Sequence, residues 1–177
     1  MLKPKHPKQS EAITTEIVMP DHTNTLGNLM GGKLLHWMDV ISAVSAHRHS
    51  GRVVVTASVN NVSFGNPIAL GDIVTLQAKV SRAFTSSMEV FIDVWVERQD
   101  TGKRIKCNEA IYTFVAVDQR GNPIQVPEIL PESEEELLRY DGALRRKQLS
   151  LILAGKMKPD EATELKALFS SPQSNPE

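Results

Sequence analysis

The chain has 177 residues, 41% hydrophobic and 23% charged, the composition of a folded globular domain rather than a disordered chain. Twenty Lys and Arg against twenty-one Asp and Glu leave a formal net charge of -1, so no chain-wide basic surface for nucleic acid is implied. Aromatic residues at 5% argue against a base-stacking platform, and the single cysteine, Cys107, excludes an intrachain disulfide. No Cys/His cluster has zinc spacing, so no metal is expected. No run reaches the roughly 18 apolar residues of a membrane span. Met1 to Glu11 lacks the apolar core of a secretory signal, and the expected compartment is the cytoplasm.

Residues 1–11 carry Lys3, Lys5 and Lys8 and are expected to fray. Ala12–Met19 is rich in β-branched residues and stops at Pro20, the pattern of a short strand. A loop of turn formers follows over Asp21–Met30. Gly31–Ser50 has the helical period: Leu34, Met38, Ile41 and Ser45 share one face, and Trp37, Val40 and Val44 a neighbouring one. Asp39 is the only formal charge between Leu34 and Ala46, so the helix is expected to be buried nearly all round. Gly51 suits its C-terminal turn.

The period then changes to two. Val53–Asn60, Val74–Val80, Met88–Glu97 and Ala110–Val117 read as four strands joined by short turns, which makes the pairing antiparallel. Wrapping that sheet around the helix buries both. Beyond Pro131, Glu132, Glu134, Glu135 and Glu136 open a helix, and Arg139, Arg145, Arg146 and Lys147 load its end, as the macrodipole favours. Pro159 and Asp160 start a last short helix to about Phe169. The expected organisation is a flexible N-terminus over 1–11, one α+β domain over 12–130, a helical extension over 131–170 and a disordered tail over 171–177.

Asp39 is the most informative residue. Aspartate is a poor helix-interior residue, and this one lies well past the first turn. Among its helical neighbours only His36, at i−3, could pair with it. A buried carboxylate without a partner is costly, so Asp39 is either a structural cap for a neighbouring loop or functional. The segment Asn24–Gly32 holds Gly27, Gly31 and Gly32, three of the chain's ten glycines. Glycines at a helix start leave unpaired N–H groups that can polarise a carbonyl; tight helix packing is the other reading. His47 and His49 are expected to serve the helix C-terminus and solvent, and His36 a polar contact. Thr56 breaks a valine run, with Ser58 and Asn60 expected on the same strand face. Lys103, Arg104 and Lys106 read as a solvated edge, with contact to phosphates as the other reading.

The segment Asp21-His-Thr-Asn24-Thr-Leu-Gly27-Asn28-Leu-Met-Gly31-Gly32, followed by Leu35-His-Trp-Met-Asp39, resembles the hot-dog-fold acyl-CoA thioesterases of the cytosolic acyl-CoA hydrolase family. Val54–Val59, Phe64, Pro67-Ile68, Gly71-Asp72, Thr85–Val90, Thr113–Asp118 and Val126-Pro127 continue the match in order, over residues 12–147. The resemblance implies an antiparallel sheet wrapped around one long central helix, here with a C-terminal helical extension. It implies two such units pairing with active sites at their interface, and assembly as a trimer of dimers.

The implied reaction is hydrolysis of acyl-CoA to a free acid and coenzyme A without cofactor. The implied catalytic residues are Asn24, Asp39 and Thr56, with Asn24 and Asp39 from opposite subunits. Asp39 would act as general base or as nucleophile, Asn24 would position the water or the carbonyl, and Thr56 would hydrogen-bond Asp39 or the water. Backbone N–H groups near Gly31 and Gly32, beside Asn28, would hold the oxyanion, and Ser86 and Ser87 are candidates for coenzyme A contacts. The alternatives are a hot-dog enoyl-CoA hydratase or dehydratase, which relies on a histidine where this loop carries Asn24, and a non-catalytic acyl-CoA sensor or assembly subunit.

Overall fold

A computed structural model of the chain describes residues 2–60, 62 and 65–170. Phe64 and the expected disordered tail over 171–177 lie outside these. The chain divides into two compact units, one up to Pro131 and one from Glu132 on.

The first unit holds β1 (Ala12–Ile17), α1 (Gly31–Ser50), β2 (Val53–Asn60), β3 (Ile73–Ala83), β4 (Ser87–Glu97) and β5 (Arg104–Val117). The strands form one antiparallel sheet in the order β1-β3-β4-β5-β2, and α1 packs against all five. On the face toward α1, Val74, Leu76, Ala78 and Val80 of β3 are fully buried with Met88, Val90, Ile92, Val94 and Val96 of β4. Each large aliphatic side chain so placed contributes about 1.5–3 kcal/mol. The period-two pattern therefore yields the expected core, the hot-dog α+β architecture with its single central helix.

α1 has the expected bounds, and Gly51 closes it at φ 64°, donating its N–H to His47 O at 2.7 Å. Its burial differs from expectation. Leu34, Trp37, Met38, Ile41, Ser42, Ser45, Ala46 and His49 are buried, whereas Val40 is 50% and Val44 37% exposed. One sheet can cover only one flank of a helix, so the other apolar flank stays open within a single chain.

Several boundaries also differ. β1 stops at Ile17 because Val18 donates its N–H to Asp72 O at 2.9 Å rather than continuing the ladder. β5 starts at Arg104, six residues before Ala110, where cross-strand pairing to β4 supplies order that the polar sequence does not announce. The N-terminal residues expected to fray are tied down from Lys5. Lys5 N–H donates to Glu128 O at 2.9 Å, and its ammonium donates to Arg48 O at 3.1 Å and His49 O at 2.6 Å, capping the carbonyl end of α1. Pro7–Ser10 form a 3-10 turn with Pro7 and Ser10 buried.

The second unit holds α2 (Glu134–Leu153) and α3 (Thr163–Ser170). Ser133 caps α2 by accepting from Glu136 N–H at 3.1 Å, while the Glu136 carboxylate accepts from Ser133 N–H at 3.3 Å. α2 runs six residues beyond Lys147, and no basic residue stands in its last turn. The cluster expected to load its end thus lies in its interior. Gln148 of α2 accepts from Leu165 N–H of α3 at 2.9 Å. No helix among the described residues is long and apolar enough to cross a membrane.

Candidate active site

Asp39 sits on α1 between the buried Met38 and the exposed Val40. Its partner is not His36, which is exposed and hydrogen-bonds to nothing among the described residues. The Thr56 hydroxyl on β2 instead donates to Asp39 Oδ1 at 2.8 Å. Oδ2 has no hydrogen-bond donor among the described residues. The bond ties the central helix to the edge strand of the sheet and leaves half of the carboxylate free.

A β-bulge sets which β2 residues share this face. Register passes from Thr56 opposite Phe114 to Ser58 opposite Thr113, leaving Ala57 as the extra residue. Val59 thereby falls opposite Tyr112 on the α1 side. Ser58 and Asn60, expected beside Thr56, fall on the other face, where Asn60 Nδ2 donates to Ser58 Oγ at 3.4 Å.

Tyr112 is a neighbour that sequence reading missed. It is 1% exposed and its hydroxyl donates to Leu35 O at 3.1 Å. Burial, with the Asp39 charge adding to it, pushes its phenol up to about 12. Tyr112 therefore stays a protonated donor beside the carboxylate. An aromatic with a polar tip in an otherwise apolar strand was the available signal.

The loop before α1 is stitched to itself and to its neighbours. Asn24 N–H donates to Asn28 O at 2.8 Å, and Gly27 N–H to Asn24 O at 3.0 Å with Gly27 at φ 74°. Asn24 Oδ1 accepts from Leu26 N–H at 2.9 Å and Asn28 N–H at 3.2 Å. The Asn24 side chain is exposed, and its amide NH₂ is unused among the described residues. Leu29 N–H donates to Ile68 O at 2.7 Å and Met30 N–H to His22 O at 2.9 Å. The His22 ring meets Trp37 edge-on at 5.2 Å, which fixes the loop on α1.

Met30 N-caps α1 with no side-chain hydrogen bond. The Gly31 and Gly32 N–H groups have no acceptor among the described residues. A Cβ on Gly32 would meet nothing within 4 Å, so packing does not demand glycine at that position. No hydrogen bond joins Asn24 to Asp39 within the chain. Ser87 pairs with Val115 on the face away from α1, and Ser86 O accepts from Ala116 N–H at 2.9 Å in the adjoining turn. Neither serine is brought to Asp39.

His49 is fully buried rather than solvent-facing. Its Nε2 donates to Pro127 O at 2.7 Å, and Nδ1 has no partner among the described residues. Burial, helped by Lys5 and opposed by the Pro127 bond, holds it below the ordinary imidazole value. Lys103, Arg104 and Lys106 are exposed, as expected of a solvated edge, but Lys106 is also ion-paired. It bonds Asp93 at 2.7 Å and also Glu109. Arg104 lies 5.2 Å over the Trp95 ring. No group of three His, Cys, Asp or Glu among the described residues could hold a metal.

An antiparallel sheet wrapped around one long helix is the hot-dog architecture. Residues 26–103 match the Thioesterase superfamily model. The chain is 42% identical over 139 residues to a Bacillus subtilis protein named "uncharacterized acyl-CoA thioester hydrolase YkhA", covering 78% of this chain and 81% of that one. A hexameric acyl-CoA thioesterase in its apo form superposes with a TM-score of 0.83 at 37% identity, over 86% of this chain and 98% of that one. An acyl-CoA hydrolase from Staphylococcus aureus, in complex with butyryl coenzyme A, coenzyme A and coenzyme A disulfide, gives 0.78 at 35% identity, over 92% and 98%. The chain belongs to the hot-dog acyl-CoA thioester hydrolase family.

Proposed function

We propose that this protein hydrolyses acyl-CoA thioesters with Asp39 as the catalytic carboxylate. The observation that carries the reading is the 2.8 Å bond from Thr56 to Asp39 Oδ1, which orients the carboxylate and leaves Oδ2 to act. Oδ2 takes a proton from water as its oxygen attacks the thioester carbonyl. The Gly31 and Gly32 N–H groups of a second copy hold the resulting oxyanion, since those on the same helix lie about 10 Å from Asp39, a contribution of about 10²–10³-fold per donor. The C–S bond then breaks, and the coenzyme A sulfur takes the proton from Asp39. Direct attack by Oδ2, through an anhydride that water then opens, uses the same atoms. No metal or cofactor enters either route; coenzyme A is part of substrate and product.

Asn24 supplies the remaining amide, from a second copy of the chain. Two features support self-association. β2 is an edge strand with an unpaired side, and Val40, Val44, Val55 and Val59 are exposed beside it. Pairing at β2 would cover them and bring Asn24 of one chain to Asp39 of the other. A trimer of such dimers is the assembly we propose, in line with the hexameric relative.

The test is thiol release by EDTA-dialysed protein over esters from acetyl- to palmitoyl-CoA. Asp39→Ala is expected to lower kcat by about 10²–10⁴-fold, and Thr56→Ala by about tenfold or more, with thermal melts unchanged. Full activity in Asp39→Ala would remove Asp39 from the chemistry. Thioester binding without turnover by the parent protein would favour a sensor.

A further inference from the structure

We propose that Arg52 and Arg120 form the site that grips the phosphates of the coenzyme A moiety. This assignment rests on the acyl-CoA hydrolase reading and extends it to residues outside the catalytic group. The two arginines line a cleft of about 790 Å³ at the C-terminal end of α1, together with His47, Ser50, Gln119 and Asn122. Both side chains are exposed, and neither makes a hydrogen bond or ion pair among the described residues.

The one acidic side chain in the cleft, Asp118, is already occupied. Its Oδ1 accepts from Arg120 N–H at 2.8 Å and Asn122 N–H at 2.9 Å, and its Oδ2 from Asn122 Nδ2 at 3.2 Å. The loop turns this carboxylate onto its own amides, which leaves both guanidiniums for an external anion. His47 spends Nδ1 on Arg52 O at 2.8 Å, so its other ring nitrogen is spare. A cleft with two uncommitted guanidiniums and neutral donors around them suits a phosphate.

Distance ties the cleft to Asp39. Arg52 immediately precedes β2, and Thr56 lies four residues further on. Four residues of extended strand span about 13 Å. The pantetheine arm between thioester sulfur and diphosphate is a peptide-like chain about as long as four extended residues, about 14 Å. A thioester carbonyl at Asp39 and Thr56 therefore puts the phosphates within reach of the Arg52 side chain.

The experiment compares wild type with Arg52→Gln and Arg120→Gln, using one acyl group carried on coenzyme A and on pantetheine. The wild-type preference in kcat/KM for acyl-CoA over acyl-pantetheine is expected to shrink about tenfold in each variant, the size of one lost charge-assisted hydrogen bond, mainly through KM. Arg52→Lys is expected to restore part of it. An unchanged preference in both variants overturns the assignment.

Calorimetry with coenzyme A and with adenosine 3′,5′-bisphosphate separates the remaining cases. If the parent protein hydrolyses no thioester, the hydrolase reading falls, but weaker coenzyme A binding in the variants still upholds the phosphate site. If the variants lose only the free nucleotide and bind coenzyme A as before, the cleft serves a separate nucleotide and the assignment is wrong.

Discussion

Asp39 and Asp72 are carboxylates of the same chain with opposite surroundings. Asp72 is 3% exposed and saturated: it accepts from Arg98 Nη1 at 2.7 Å, Ala69 N–H at 2.9 Å and Gln99 N–H at 3.0 Å. Burial pushes its carboxyl up, but the two amides and the Arg98 charge outweigh it and hold it below the ordinary carboxylate value. Asp39 has one donor and a free oxygen. The first arrangement pins two loops together, and the second is available for chemistry. Asp72→Ala is accordingly expected to cost about 1–3 kcal/mol of stability by stranding its donors. Denaturant unfolding would measure this, against a near-unchanged midpoint for Asp39→Ala. Because the folded Asp72 value is depressed, its contribution is present above the unfolded carboxylate pKa and is lost as pH falls through the folded value.

α1 is both the core of the sheet and the carrier of the carboxylate, so the segments that hold its C-terminal end matter. Lys5 caps its last carbonyls, and His49 fastens it to Pro127. Pro127 can only accept, so the His49 proton sits on Nε2 and Nδ1 is a bare buried lone pair. Its folded pKa lies below the ordinary imidazole value of 6.5. Between the two values the unfolded chain binds a proton that the native chain does not, so stability falls as pH drops below about 6.5. The melting temperature is expected to fall between about pH 7.5 and about pH 5.5, and less so in His49→Gln. A melting profile in which the variant keeps the full pH dependence would assign the effect to other groups.

At the scale of the whole molecule, a single chain holds both Asn24 and Asp39 without a hydrogen bond between them, and it leaves β2 and one flank of α1 bare. If the two residues meet across a two-fold dimer, inactive variants must complement each other. A mixed dimer of Asn24→Ala and Asp39→Ala chains has one site with both residues intact and one with neither. Random pairing then restores about a quarter of wild-type activity. Sites built within one chain would restore none. Thiol release by the unselected pool of two co-expressed, differently tagged chains decides between them, and heterodimers purified through both tags would keep about half.

Sequence alone carried a good deal of this protein. The periods of 3.6 and 2 reflect side chains on one face of a helix and alternate faces of a strand, and they placed α1 and the strand cores. The isolated charge of Asp39 on an apolar helix marked it as a candidate, because burial of an unpaired carboxylate is costly wherever the helix lies. Contacts between residues distant in the chain were not legible. The start of β5 at Arg104 depends on pairing with β4. Helical spacing offered Asp39 only His36 as a partner, and its bond from Thr56 was implied by the family resemblance alone. The Ala57 bulge moves Ser58 and Asn60 to the opposite face, and a one-residue slip leaves no trace in an alternating pattern. His49 and Lys5 read as surface residues because local composition does not reveal which polar groups will meet buried carbonyls. Composition and local periodicity determine which residues seek burial, while only the tertiary structure decides which polar groups satisfy one another there.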